Sequence, residues 1–484
     1  MRAADGVDAA VSFRSSLDSF GSIPYESALQ PMTPTDPTSS GLHRTLTHVE
    51  YFTFGFGTMV GVGWVVLMDD WLARGGPGGA ALGFLLGGVL LLPVARTYGR
   101  LVARFPDAGG EIAYAERVLP PSVAFGAAWT MVLSYAIVCP WETAAIGNLL
   151  ARVVPALNTV PLYEVAGRTI FAPRLVLGLA LTAAIAWLND RGMRFSGVLQ
   201  NTATFGLLAL VGIFAALAFL RGSPAHLPPL FARPGSSGAW LSILLVLQVV
   251  PYFMTGFESV GKESEEARPG FPSRHFGRAI TLAEVSGFLF YATIIVAVAW
   301  IFPWRDLVTG HLGTEAAFAR AFGSPAIARL VVFAAFLSLV KIFNGNFVAA
   351  TRMLYGIARR GLVHPGLARV HPLRGTPRNA IFLMAALSIL GAILGDAVLV
   401  PISEVGSLAV GVGWLSSCVA ALALRRSNER GASAAAVGAL VAAAVVAIKI
   451  VPGIPGSFTA AEWIAFGLWS ALGLTFWVAR RRVH

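Results

Sequence analysis

Residues 247–260 read LQVVPYFMTGFESV, and residues 54–64 read FGFGTMVGVGW. Both lie in apolar stretches long enough to cross a bilayer, and both are interrupted by glycine where an unbroken spanning helix would have none. The first also carries a carboxylate, Glu258, with no opposite charge inside the stretch. Glycine in a helix interior costs about 1 kcal/mol against alanine, and a charge at bilayer depth costs at least about 2.5–3.5 kcal/mol. Such costs persist where broken helix ends face a ligand or an internal cavity. The pair therefore reads as the substrate site of an all-α, membrane-embedded transporter.

Composition agrees. Of 484 residues, 56% are hydrophobic and only 13% charged, with a mean hydropathy of +0.70. A soluble domain would carry about a quarter charged residues, so the chain is expected to be a polytopic membrane protein with the lipid bilayer as its solvent. The net charge of +11 is read as arginine in cytoplasmic loops and not as a nucleic-acid surface. Lysine occurs only at Lys262, Lys341 and Lys449, and the two cysteines, Cys139 and Cys418, both fall in apolar segments and form no metal or redox motif.

Residues 1–45 are polar, rich in Ser, Pro, Thr and Asp, and expected to form a disordered cytoplasmic tail. Apolar segments follow at about 46–73, 79–97, 122–151, 169–189, 195–220, 239–266, 278–302, 325–357, 379–395, 400–424, 432–451 and 460–480, about twelve spans in all. With the amino terminus inside, the inner loops hold Arg96, Arg100, Arg104, Arg117, Arg191, Arg194, Lys262, Arg268, Arg274, Arg278, Arg359, Arg360, Arg369, Arg374, Arg378, Arg425, Arg426, Arg430 and Arg480 to Arg482. The outer loops hold only Arg74, Arg152, Arg168, Arg221, Arg233, Arg305 and Arg320. That bias sets both termini in the cytoplasm and the protein in the plasma or inner membrane. The glycine breaks fall in the first and sixth spans. This predicts a five-helix repeat over residues 46–220, a second, inverted one over 239–424, and two peripheral helices over 432–480.

In the first span, Gly61-Val62-Gly63 lets the helix unwind between Met59 and Trp64, freeing amides that favour a carboxylate. In the sixth, Pro251 and Tyr252 precede Phe253, Met254, Thr255 and Gly256; proline removes a donor and glycine tolerates an unwound turn. Glu258 has two readings: a carboxylate that gains and loses a proton, or a permanently satisfied acceptor tying the break to a neighbouring helix.

These residues resemble the APC (amino acid–polyamine–organocation) superfamily. The likeness covers residues 46–480 and rests on four stretches in order: the Gly-x-Gly of the first span, PDAGGEIAYAERVLP from Pro106, PYFMTGFESVGKESEEARPG from Pro251, and TRMLYGIARRGLVHPGLARVHPLRGTPRNA from Thr351. Val62 departs from the small serine or alanine of many members. The resemblance implies substrate held between spans one, three, six, eight and ten. An amino acid's carboxylate would meet the backbone at Met59, Val60, Gly61, Val62 and Gly63, and its amine the sixth-span carbonyls near Tyr252 to Thr255. Tyr252 would be an aromatic lid and Glu258 a candidate for proton coupling. Glu263, Glu265 and Glu266 would form a cytoplasmic gate, or else a solvated loop.

Lys341, in SLVKIFNGNF, is a cation inside an apolar eighth span. By the resemblance it lies near where sodium-coupled relatives of this architecture supply hydroxyl ligands to sodium, so its ammonium would replace that charge or carry a proton itself; the plainer reading is a lysine snorkelling to the interface. Asn344 and Asn346 would bond the substrate or this lysine. In the third span Tyr135, Cys139 and Glu142 share one face at i, i+4, i+7, with Glu142 facing a cation in the site or an outer vestibule. Glu404 and Ser407 stand at the outer end of the tenth span. Met59, Trp129, Tyr135, Phe253, Met254 and Phe257 suggest an apolar pocket.

There is no Walker loop, no histidine ligand pair at helical spacing inside a span and no cofactor motif. The expected function is alternating-access transport of an amino acid, with protons preferred to sodium or with plain exchange. Two alternatives stand beside it: a polyamine or organic-cation permease of the same fold, and a non-transporting membrane sensor or scaffold.

Overall fold

The computed structural model describes residues 41–425, 431–454 and 456–480, without the side chains of 396–404. Most of the expected tail, Arg426, Arg430, Arg481, Arg482 and the Glu404 side chain lie outside them. Residues 41–45, assigned to that tail from sequence, are fastened instead: Leu42 is buried, and the amide of Thr45 donates to the Glu266 carbonyl at 2.8 Å.

Among the described residues eleven helices are long and apolar enough to cross a membrane. They are the first span His48–Val66, the second Met68–Arg104, the third Pro121–Ala151, the fourth Ala172–Arg191, the fifth Met193–Arg221, the sixth Gly235–Gly261, the seventh Arg274–Ile301, the eighth Pro325–Arg359, the tenth Val405–Ala423, the eleventh Ala432–Ile450 and the twelfth Ala460–Ala479. In the ninth place stands a shorter apolar helix, Arg378–Ile393. The only sheet among the described residues is a hairpin of Pro161–Val165 and Arg168–Phe171 between the third and fourth spans. The protein is an all-α polytopic membrane protein.

Local chemistry sets the ends of these helices. The first span opens on Thr47 and Glu50, which cap each other's backbone in the Thr-x-x-Glu pattern, and the twelfth opens on Thr459 and Glu462 in the same way. Gly76, at φ 66° and ψ 175°, turns the chain inside the 68–104 helix. Residues 68–75 thus extend the first span, and Pro77 opens the next helix where a missing amide costs nothing.

Burial sorts the spans into an inner and an outer set. The most apolar windows of the first and third spans are 78% buried within the protein, against 11% for the twelfth. The twelfth turns Ile464, Leu468 and Leu474 outward, a face suited to lipid. It docks through a reciprocal pair: the Trp129 indole donates to the Trp469 carbonyl and the Trp469 indole to the Trp129 carbonyl, both at 3.0 Å. Trp129, expected near the substrate pocket, faces this peripheral helix instead.

Candidate functional site

Both sequence-predicted interruptions are present. The first span is helical from His48 to Met59, extended at Val60 (ψ 102°), and helical again from Gly63. The sixth is helical over Gly235–Leu247 and Val250–Phe253, then turns at Gly256 (φ 136°) into a tight 3-10 helix, Phe257–Gly261. The breaks abut. A Cβ on Gly256 would stand 2.6 Å from the Met59 amide nitrogen and the Thr58 carbonyl carbon, so only glycine lets the two backbones approach this closely.

Around them opens a cavity of about 550 Å³. Of the predicted residues, Met59, Gly61, Val62, Gly63, Tyr252, Phe253, Thr255, Glu142 and Asn346 line it, joined by Thr58, Trp71, Ser134, Trp141 and Ile342. It reaches the surface beside Asp69, Asp70 and Arg74, where Arg74 pairs with Asp70 at 2.7 Å. A second cavity of about 690 Å³ shares Val62, Val66, Leu67 and Trp141 with it and runs on to the hairpin and Arg174. Aromatic rings support the floor of the sixth-span break: Phe253 meets Trp71 edge-on at 4.9 Å between ring centroids, and Phe257 stacks on Trp414.

The remaining predicted residues lie behind the cavity wall. Lys341 is fully buried, so it does not snorkel. Its ammonium donates to the carbonyls of Gly57, at 3.3 Å, and Val60, and lies 5.2 Å from the centre of the Phe56 ring. These are carbonyls that lose helical partners when the first span unwinds, at the negative end of a helix dipole. Ser338, one turn earlier on the same face, donates to the carbonyls of Val60 and Gly61 at 3.1 and 2.8 Å. Asn346 donates to Thr58 at 3.1 Å. The eighth span thus satisfies what the break in the first exposes.

Glu258 does the corresponding work in the sixth span. Its two carboxylate oxygens accept from the Gly256 amide at 3.1 and 3.0 Å, and the Tyr135 hydroxyl donates to it at 3.0 Å. Tyr135 therefore ties the third span to the break and is not among the cavity-lining residues. Nor is Met254, which packs beside Gly287 of the seventh span. Asn344 faces away: it accepts from Asn189 and Ser196 and donates to Gln200, bonding the fourth and fifth spans.

Lys262, taken from sequence as an exposed loop cation, is fully buried. It forms an ion pair with Glu111 at 2.5 Å and donates to the Glu258 carbonyl at 3.1 Å. Nearby, three of the sequence motifs converge. Arg352 holds Glu266 through two bonds of 3.0 and 3.1 Å, both side chains fully buried. Arg359 pairs with Glu265 at 2.5 Å and with Asp107 at 3.3 Å, while Arg360 pairs with Asp107 at 2.9 Å and Glu116 at 2.8 Å. Two acids of the run after the sixth span, Glu265 and Glu266, are thus paired with arginine, and the run is not a solvated loop.

Burial alone would raise the Asp107 carboxyl, but the Arg360 guanidinium and its hydrogen bonds, with Arg359, hold it below the ordinary aspartate value. Its stabilising share is complete above the unfolded value near ~3.9 and is lost only as pH falls through the lower folded one. Glu263 behaves oppositely: burial, then Glu266, push it well above the usual carboxylate range, against Arg352 and Lys262. Its two oxygens have no partner among the described residues.

Sequence reasoning missed Ser338, Ile342 and Trp71, of which Ser338 was findable at i−3 from Lys341. It also missed Glu284, fully buried on the seventh span with neither oxygen bonded among the described residues.

A membrane bundle in which two interrupted spans abut and line one cavity defines a transporter of the broken-helix class. Residues 46–476 match the family described as amino acid permease, and the chain belongs to it, within the APC superfamily. It is similar to the amino-acid permease RocE of Bacillus subtilis, 23% identical over 82% of this chain and 84% of that protein. It is also similar to the methylthioribose transporter of the same organism, 25% identical over 92% and 95%, and to its branched-chain amino acid permease BcaP, 24% identical over 84% and 86%.

Proposed function

We propose that this protein carries an amino acid across the plasma membrane by alternating access around the two broken spans. The observation that supports this most directly is the abutment of the breaks, Gly256 on Thr58 and Met59, at the wall of one cavity. Backbone of the 61–63 segment on one side, and Tyr252, Phe253 and Thr255 on the other, are the contacts available to a small polar ligand. Tyr252 lies over the site as its lid. The cargo itself is not transferable from relatives whose names specify amino acids in two cases and methylthioribose in a third.

In this reading the repeats are residues 46–220 and 239–424, inverted with respect to each other, and both termini are cytoplasmic, as the arginine bias implies. The cavity then opens outward, and the seal made by Arg352, Arg359 and Arg360 closes the cytoplasmic side. Lys341 serves as a fixed cation at the first break. An ammonium already bonded to the Gly57 and Val60 carbonyls leaves no place there for sodium, so coupling is to protons or the carrier exchanges substrates.

Two measurements test this. A thermal-shift screen against amino acids should find ligands that raise apparent stability by mass action. Uptake into proteoliposomes should proceed without sodium; stimulation by sodium with no proton gradient present would overturn the coupling assignment. Absence of flux for every ligand that binds would overturn the transporter reading.

A further inference from the structure

Glu142 stands on the cavity wall at the depth of the first break. It is 1% exposed, its Oε2 has no partner among the described residues, and its Oε1 lies 3.4 Å from where a Cβ on Gly61 would stand. Lys341 is the nearest opposite charge acting on it, but that ammonium is held by Gly57 and Val60 and makes no ion pair with Glu142. The other charged lining residues, Asp69, Asp70 and Arg74, stand at the mouth.

A carboxylate buried in a cavity wall with no ion-pair partner is stabilised by a proton on it or by a cation brought to it. A neutral zwitterion brings one charge of each sign, and its carboxylate near Gly61 would lie against Glu142. The Lys341 ammonium is met by the Gly57 and Val60 carbonyls, so a ligand with net positive charge answers the Glu142 carboxylate without adding a second anion beside it. Resting on the transporter reading above, we propose that a proton and a cationic group of the substrate compete for Glu142, and that the preferred cargo is a cationic amino acid. As the substrate's ammonium arrives, the Glu142 carboxyl gives its proton to cavity water; no bond within the substrate changes.

The groups that face Glu142 keep this assignment simple. The eighth span supplies Lys341, the seventh Tyr291, the sixth Tyr252, and its own helix Cys139. The fourth and ninth spans meet this stretch through Thr182, bonded to Thr143, and Ser388, beside Cys139. The tenth packs through Val405 and Ala409 with Val138. Thr182, Ser388, Val405 and Ala409, the described residues through which these last three meet the stretch, carry no charge. With Arg74 paired to Asp70 at the mouth, Asp69 leaves one net negative charge there, a field that draws cations inward.

The test measures binding of L-lysine and L-leucine to the purified full-length protein from pH 5 to 8, for wild type, Glu142→Gln and Glu142→Asp. Wild type should bind lysine at least about tenfold tighter than leucine at pH 8. Its lysine affinity should rise with pH, by at most about tenfold per unit for a one-proton competition. Glu142→Gln should lose both the preference and the slope, and Glu142→Asp should keep the slope, which a merely structural role would not require. A Glu142→Gln protein that keeps the lysine preference and slope overturns the proposal while leaving the transporter reading intact, as does a wild type that binds leucine and not lysine. A wild type that binds neither also overturns the proposal, and the transporter reading falls with it only if no ligand found in the thermal-shift screen is carried.

Discussion

The two breaks solve one electrostatic problem in opposite ways. Unwinding the first span exposes carbonyls at the carboxyl end of a half-helix, and the compensating positive charge, Lys341, comes from a helix far along the chain, 284 residues beyond Gly57. Unwinding the sixth exposes an amide at the amino end of the next turn, and the compensating negative charge, Glu258, sits two residues away. Each sign matches the dipole end it meets. The difference is that the sixth-span break carries its own cap, whereas the first holds its shape only while the eighth span is docked. A part of the molecule that must move past its neighbours is better placed where its charge is supplied from outside, because sliding the supplier away changes the stability of the break.

The largest expected effect follows from this asymmetry. Lys341→Met keeps the apolar stem and removes the donor, leaving the Gly57 and Val60 carbonyls short of a partner and Glu142 without its nearest opposite charge. Each lost charged hydrogen bond is worth about 1.5–3 kcal/mol. Uptake should fall at least about 100-fold, and adding Glu142→Gln should recover part of the lost stability, a non-additivity expected of charges in one network. Glu258→Gln should cost less, because an amide oxygen still accepts from Gly256. Equal losses in uptake and thermal stability would erase the distinction between the two breaks.

A smaller contrast lies in the glycines. Gly256 combines φ 136° with backbone atoms 2.6 Å from any Cβ, and neither can yield, so Gly256→Ala should cost roughly 2–4 kcal/mol and strip away most folded protein. A Cβ on Gly61 would instead meet Ile342 Cδ1 at 2.7 Å, the far end of a flexible side chain. Gly61→Ala should fold with a loss nearer ~1 kcal/mol and show its effect in ligand affinity. Size-exclusion yield and melting temperature of the two variants decide the matter; a worse outcome for Gly61→Ala would place the rigid contact at the wrong break.

Much of this architecture is legible in the amino-acid sequence alone. The breaks can be read because glycine and proline act locally, and Lys341 because a lysine in an apolar run is rare enough to demand a reason. The helix count is legible to the last short member, Arg378–Ile393, because hydropathy reports composition and not whether a helix ends early at Gly395. Phase and partnership are not legible. Asn344 and Asn346 lie about 200° apart around one helix, so both cannot face the cavity, and nothing local says which does. Lys262 reads as a loop cation because its partner, Glu111, is 151 residues away. The acidic run of Glu263 to Glu266 reads as solvated for the same reason, and only the fold brings Arg352 and Arg359 to it.

The smallest expected effect is the sharpest probe of whether the sixth-span break is self-sufficient. Among the described residues, Tyr135 donates the one side-chain hydrogen bond to the Glu258 carboxylate that comes from another helix. If the cap is local, Tyr135→Phe removes a donor from a carboxylate that still accepts from the Gly256 amide, and the cost should stay near ~1 kcal/mol with uptake within a few-fold of wild type. Ser338→Ala is the matched control at the first break, since Lys341 also serves the Val60 carbonyl. In a Glu258→Gln background the Tyr135→Phe penalty should shrink further, because the hydroxyl then bonds a neutral oxygen. A penalty for Tyr135→Phe that rivals Lys341→Met would mean that the sixth-span break, too, is held from outside, and that the third span is as much its clamp as the eighth is of the first.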